Sequence, residues 1–154
     1  MRFFTSKLWS QINDTDPMIR AQAEKEWAIN DLEYQKVFSK AAKRLPRKFI
    51  KAYLNRKGLH DYAILEMLFK QKGRASFGIL RLSNGLETVL VEMAGLKAVN
   101  IHAETICLCM SGLLTWGYDE IEVTPQKTIK LAILCDIQNE LQFEFQSIKL
   151  VTQA

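Results

Sequence analysis

The stretch GLHDYAILEMLFKQKGRASFGILRL, residues 58–82, sets His60, one of two histidines in the chain, directly beside Asp61. An imidazole facing a carboxylate is the core of a general acid–base pair. If a strand starts near His60, however, neighbouring side chains point to opposite faces, and the two are not expected to form a dyad. Asp61 would then share a row with Ala63, Leu65, Met67 and Phe69, which the pattern makes core-facing. His60 would lie with Tyr62, Ile64, Glu66 and Lys70 on the more polar side. The expected role of an aspartate in that place is to cap a turn or accept backbone N–H bonds.

Other groupings are weaker as chemistry. A hydrolytic site would have to draw on Cys107 or Cys109, with His60 or His102 and Asp61 or Glu104, and bring nucleophile, base and orienting group together. No G-x-S-x-G, H-E-x-x-H or glycine-rich phosphate loop supports it. A metal set of His102, Cys107, Cys109 and Cys135 lacks the ligand spacing of structural zinc sites. The cysteines read instead as reduced, buried thiols. No catalytic residue, metal or cofactor is assigned.

Two surfaces stand out by charge. Residues 40–57 hold eight Lys and Arg and no acid, and within them Lys43, Arg44, Arg47, Lys48 and Lys51 form a candidate anion-binding surface. Such a field attracts phosphate, anionic lipid or an acidic protein. The same cations also fit the outer face of an amphipathic helix. Without aromatic residues interleaved for base stacking, any nucleic-acid contact is expected to be non-specific. In WGYDEIEV, residues 116–123, strand alternation puts Tyr118, Glu120 and Glu122 on one face and Asp119, Ile121 and Val123 on the other. Together with Trp116, the aromatic–acidic face is a candidate protein-binding surface, or a partner for the chain's own basic helix.

The elements that must position these residues change character near Gly58. Upstream, Phe4, Leu8 and Ile12 form a short helical stripe that Thr5 can cap. Thr15 or Asp16 can cap a second helix whose first position is Pro17. Its apolar face runs through Ala23, Trp27, Tyr34, Phe38, Ala41 and Leu45 until Pro46 stops it. A further helix over 47–57 is expected to bury Phe49, Ile50, Tyr53 and Leu54 and to end where Gly58 takes a left-handed conformation.

Downstream the period is two. Ile129, Leu131, Ile133, Cys135 and Ile137, then Leu141, Phe143 and Phe145, predict a hairpin with one buried face. Less regular alternation over 61–70, 75–82, 86–93 and 96–102, broken by Gly73, Asn84-Gly85 and Ala94-Gly95, predicts antiparallel neighbours. Residues 103–112 fit a short helix or irregular segment before a strand through 116–123, or else a buried strand leading into it.

The totals agree. With 154 residues, 48% hydrophobic and 25% charged, one core without disulfides is sufficient. The longest uncharged run, 105–118, is shorter than the roughly 20 residues a membrane helix needs, and no secretory leader is visible. A cytoplasmic protein with no membrane contact is therefore expected. Residues 1–58 carry 13 Lys and Arg against 6 Asp and Glu, whereas 59–154 carry 8 against 11, so the net +4 conceals a basic first third and a mildly acidic remainder.

The elements FFTSKLW, EKEWAINDLEYQKVF, LPRKFI, LHDY, YDEIE and LQFEFQSIKL resemble those of a family of functionally uncharacterised Firmicute-type bacterial proteins. The resemblance implies a bacterial cytosolic protein and transfers no catalytic residue. We therefore expect one α+β domain over 1–154, helical over residues 1–58 and mostly β over residues 59–154. Its N-terminal helices should pack on an antiparallel, largely meander-connected sheet of six or seven strands. The expected function is a non-enzymatic interaction or regulatory module that binds a protein partner. The alternatives are non-specific nucleic-acid binding through 40–57 and a small-molecule hydrolase or ligand-binding protein using His60 or His102.

Overall fold

The computed structural model describes residues 1–101, 105, 114–135 and 139–153. Helix α1 (Ser6–Ile12) starts at Thr5, whose hydroxyl accepts the Leu8 N–H at 3.2 Å. Helix α2 (Pro17–Ala42) starts at Asp16 rather than Thr15, the carboxylate accepting the Met18 N–H at 2.8 Å. This cap supplies a partner to one of the first-turn amides that every helix leaves open. The stripe from Ala23 to Leu45 faces inward throughout, with Ala23, Tyr34, Ala41 and Leu45 buried and Trp27 and Phe38 partly so. Helix α3 (Arg47–Asn55) buries Phe49 and Tyr53. Leu54, expected inside, is instead exposed.

Eight strands follow among the described residues: β1 (Ala63–Lys72), β2 (Ala75–Ser83), β3 (Thr88–Ala94), β4 (Ala98–Ile101), β5 (Tyr118–Val123), β6 (Ile129–Leu134), β7 (Glu140–Phe145) and β8 (Ser147–Gln153). The fold is α+β, but the expected single sheet of six or seven strands is replaced by two antiparallel four-stranded sheets, ordered β1-β2-β3-β8 and β4-β7-β6-β5. The cause is a pair of corners. β3 and β4 are halves of one path bent at Gly95, and β7 and β8 are halves of another bent at Gln146. β3 pairs with β8, and β4 with β7. The Gln146 N–H to Ala94 carbonyl bond (3.0 Å) and the Lys97 N–H to Glu144 carbonyl bond (2.7 Å) carry the ribbon through its bend.

A second seam joins the sheets on their other side. The Asp61 N–H donates to the Trp116 carbonyl (2.9 Å), the Trp116 N–H to the Tyr62 carbonyl (2.8 Å) and the Ile64 N–H to the Leu114 carbonyl (2.7 Å). Ala63 and Thr115 form an antiparallel bridge between them. The strand path thus closes into a ring around one core of Ile64, Leu80, Val91, Trp116, Leu131, Phe143 and their neighbours, with Phe49 and Tyr53 of α3 packed into the same cluster. A smaller aromatic cluster of Phe3, Phe4 and Tyr34 lies under α2.

The alternation expected along 61–70 is corrected. Tyr62 and Ile64 are buried, while Leu65 is exposed. A β-bulge explains the change: Ile64 pairs with Leu82 and Glu66 with Arg81, so Leu65 is the extra residue. Beyond it Met67 packs on the core, while Phe69, also expected inside, is exposed at 41% with its ring 6.2 Å from that of Phe143. The strands expected over 86–93 and 96–102 are trimmed to β3 and β4, with Leu86 lying in the turn. Strand β6 is buried on both faces, Ala132 and Leu134 included. The expectations for 103, 104, 106–112 and 136–138 fall outside the described residues.

Gly117, where the seam enters β5, is a packing constraint. Its N–H donates to the Leu134 carbonyl at 3.1 Å, and a Cβ there would lie 2.4 Å from that same oxygen. Because the obstacle is backbone, relief requires the sheet to move. Gly117→Ala is expected to destabilise by about 1–3 kcal/mol, the range for overpacking a filled interior, read as a lower midpoint in chemical denaturation; an unchanged midpoint would contradict the closed seam.

Candidate functional site

The sequence places Tyr53 one turn before the end of α3, where the chain must leave the helix and turn into β1. That turn, residues 57–61, is unusual backbone: Lys57, Leu59 and Asp61 all have positive φ (53°, 65° and 69°), as does Gly58 (80°). Non-glycine residues occupy this region at a cost and persist where the surroundings hold them. Here burial of Leu59 and the bond from the Asp61 N–H to the Trp116 carbonyl supply the hold. Gly58 has a further reason to be glycine, since a Cβ would approach the Tyr53 hydroxyl at 3.1 Å.

The turn changes the relation between His60 and Asp61. They precede β1 rather than belonging to it, and the positive φ of Asp61 swings its carboxylate back toward the ring. The imidazole Nδ1 lies 3.0 Å from Asp61 Oδ1. The expectation that strand geometry separates the pair is therefore overturned. The carboxylate remains 82% exposed and the imidazole 37%, so the pair sits at a rim.

Behind the rim is a cleft of about 460 Å³. Its walls include Phe4, Tyr34, Tyr53 and Tyr118, and its charged groups are Asp31, Arg56, Lys57, His60, Asp61 and Asp119. The Tyr118 ring meets His60 edge-on at 5.0 Å and Trp27 at 4.4 Å. Arg56 is held away from the centre by Glu87, through two bonds of 2.7 Å, while the Tyr62 hydroxyl donates to the same carboxylate. That arrangement raises the guanidinium pKa and lowers the Glu87 pKa, each chiefly through their mutual hydrogen bonds.

Asp119 forms the floor. Its Oδ1 accepts the Tyr53 hydroxyl at 2.5 Å and its Oδ2 the Trp116 indole N–H at 2.7 Å. Burial pushes its pKa up to about 7, against the lowering pull of those two donors; nearby Glu120 raises it further and His60 lowers it. Burial and the charge of Asp119 likewise raise the pKa of Tyr53 and of Tyr34, whose hydroxyl accepts the Ile121 N–H at 2.8 Å. A carboxyl that titrates near neutrality at the bottom of a cleft is the kind of group that functional sites assemble.

Of the residues singled out by sequence, His60, Asp61 and Tyr118 meet here, and Glu120 does not. The Glu120 carboxylate, on the face of β5 that it shares with Tyr118 and opposite Asp119, accepts the backbone N–H groups of Arg2, Phe3 and Phe4 at 2.7–3.1 Å. Phe4, Trp9 and Trp27 pack against Tyr118, and Trp116 is buried. The aromatic–acidic face is thus occupied by the chain's own first residues and helices, not by the basic helix. Glu122 lies apart, lining a polar hollow with Asn100, Lys130, Gln142 and Glu144. Lys43, Arg44, Arg47, Lys48 and Lys51 line no wall of the cleft.

His102, Glu104, Cys107 and Cys109 lie outside the described residues. Cys135 is buried, and among the described residues no group of three or more His, Cys, Asp or Glu is placed to hold a metal. No described helix is long and apolar enough to cross a membrane. Sequence reasoning passed over Asp119, Tyr34 and Tyr53. The signal was present for Asp119, an acid in register with Ile121 and Val123 on the core-facing side.

Asp119 makes stability pH-dependent. The folded protein holds this proton up to about pH 7, whereas an unfolded aspartate releases it near 3.8. The contribution is therefore complete below pH ~4 and is lost as pH rises through 7. Relative to Asp119→Asn, the wild-type melting temperature is expected to fall between pH 5 and pH 8; parallel curves for the two proteins would refute the assignment.

No protein-family model matches the chain, and comparisons with curated proteins and with solved structures find no match.

Proposed function

We propose that the protein binds a small organic cation, an amine or guanidinium, in the cleft between α3, the 57–61 turn and β5. The observation that carries this reading is the convergence of Asp31, Asp61 and the buried Asp119 on a pocket walled by aromatic rings, while Arg56 is neutralised by Glu87. Lys57 is the opposing cation, so acids exceed the uncompensated positive charge once Asp119 ionises. Tyrosine faces add cation–π attraction, which favours a soft, partly desolvated cation over a hydrated metal. A concave, mostly pre-formed pocket with a few convergent polar groups is the usual setting for small-molecule recognition. The covering of Tyr118 and Glu120 by the N-terminal residues draws the reading away from a protein-binding role for that face.

A second reading is favoured by the 3.0 Å contact between His60 Nδ1 and Asp61. An imidazole oriented in this way presents its other nitrogen to a bound substrate or water as a general base. No serine, threonine or cysteine lines the cleft among the described residues, so a hydrolytic step there would use water directly. Turnover in a broad substrate screen that survives His60→Ala would dismiss it.

The primary reading is tested by isothermal titration calorimetry with agmatine, spermidine and choline against citrate as an anionic control. At least one cation should bind more tightly at pH 8 than at pH 6, because ionised Asp119 favours it, and Tyr118→Ala should weaken it about tenfold, the scale of a desolvated cation–π contact. Binding of citrate alone, or no heat from any cation at concentrations up to about 10 mM, the weak limit of a useful site, would overturn the proposal.

A further inference from the structure

A second surface, at the N-terminal end of α3 where the cleft lies at its C-terminal end, has the makings of a peptide-docking groove. Strand β8 is the outer strand of the sheet β1-β2-β3-β8. It pairs with β3 over Ser147–Gln153, which uses only one of its edges. Along the other edge no described backbone group bonds to its main chain. An edge of this kind is a template for a further strand.

Helix α3 packs along β8, and between residues 46–49 and 147–151 it leaves a groove of about 510 Å³. Its floor is apolar, with Phe49 and Ile148 buried and Val151 exposed beside them. Its rim is cationic, with Arg47, Lys48 and Lys149 all exposed. None of the three forms an ion pair among the described residues, and Lys43, Arg44 and Lys51 extend the same field.

We infer that this groove receives an extended acidic segment of a partner protein, which adds to β8 as a fifth strand. Three features select this occupant. The unpaired edge supplies main-chain hydrogen bonds in the register of a strand, the apolar floor takes alternate side chains, and the rim attracts carboxylates on the others. A second copy of this chain is a poor occupant, because pairing β8 with β8 would bring Arg47, Lys48 and Lys149 of both copies together, and like charges opposed across an interface disfavour it. Nucleic acid would be drawn by the same cations but has no use for a strand edge or an apolar floor. The seven residues of β8 span about 23 Å at 3.3 Å per residue, so the recognised segment is about five to seven residues long. The groove shares no lining residue with the cleft, although Arg56 of the cleft donates to the Thr152 hydroxyl of β8 at 3.0 Å, and the test does not depend on the cleft's ligand.

The test uses fluorescence anisotropy with a labelled heptapeptide alternating Glu and Val, the same peptide N-methylated at alternate amides, a Lys–Val counterpart and a DNA duplex. The Glu–Val peptide should bind, N-methylation should weaken it by about tenfold or more through lost main-chain bonds, and Lys149→Glu should do the same through reversed charge. Amide hydrogen exchange of the full protein should show new protection within 147–153 upon binding, a readout that a folding defect in the variant cannot imitate. Equal binding of the N-methylated peptide, no binding of the Glu–Val peptide, or tighter binding of the duplex with no protection in β8 would each overturn the inference. The last result would identify the surface as a phosphate-backbone contact.

Discussion

The carboxyl of Asp119 is the constraint around which much of this molecule is arranged. Strand β5 faces the core with Ile121 and Val123, and alternation forces Asp119 into the same row. An ionisable group in that position is costly unless its polar atoms find partners. Tyr53 from α3 and Trp116 from the seam segment provide them. By answering one buried acid, those two donors fix the end of α3 against the mouth of the strand ring. The turn that follows α3 must then cover the distance to β1 in a few residues, and it does so through a run of left-handed backbone. The cleft is the space that this compromise leaves.

On the outer face of β5 a second acid is handled differently. Glu120 accepts hydrogen bonds from three successive backbone amides of residues 2–4. The same contact draws Phe3 and Phe4 into the aromatic cluster and makes Phe4 a wall of the cleft. Neighbouring acids on opposite faces of one strand therefore have opposite environments: Asp119 sits among core side chains with its pKa raised toward neutrality, and Glu120 is wrapped by main chain. Between them they link the N-terminal segment, α2, α3 and the second sheet.

The helical region was legible in the sequence because its signals are local. The caps at Thr5 and Asp16, the stop at Pro46 and the inward stripe from Ala23 to Leu45 depend on residues within a few positions of one another. The strands were legible as strands, but not their division into two sheets, since a corner at Gly95 and another at Gln146 become visible only when the two paths are seen to pair with each other. Leu65 escaped for the same reason: a bulge is a property of two strands. Strand alternation separates His60 from Asp61, but they lie in a turn where Gly58 alone signals its left-handed backbone and Lys57, Leu59 and Asp61 do not. Tyr34 and Tyr53 read as ordinary core aromatics, and their hydroxyls acquire a role only through contacts 87 and 66 positions away in the chain.

The bent ribbon that unites the two sheets has a bearing on how the chain folds. Its pairings run from Ile101 with Leu141, which encloses β5 and β6, through Ala94 with Ser147 at the corner, to Thr88 with Gln153 at its far end. Bringing such distant segments together carries an entropic cost that rises with the length enclosed, and topologies rich in distant pairings fold slowly for that reason. The meanders β1–β3 and β5–β7, each built on short turns, can zip early. Once β4 has met β7, the corners at Gly95 and Gln146 already hold β3 beside β8, so the costly closure is shared by the two halves of the ribbon rather than met twice.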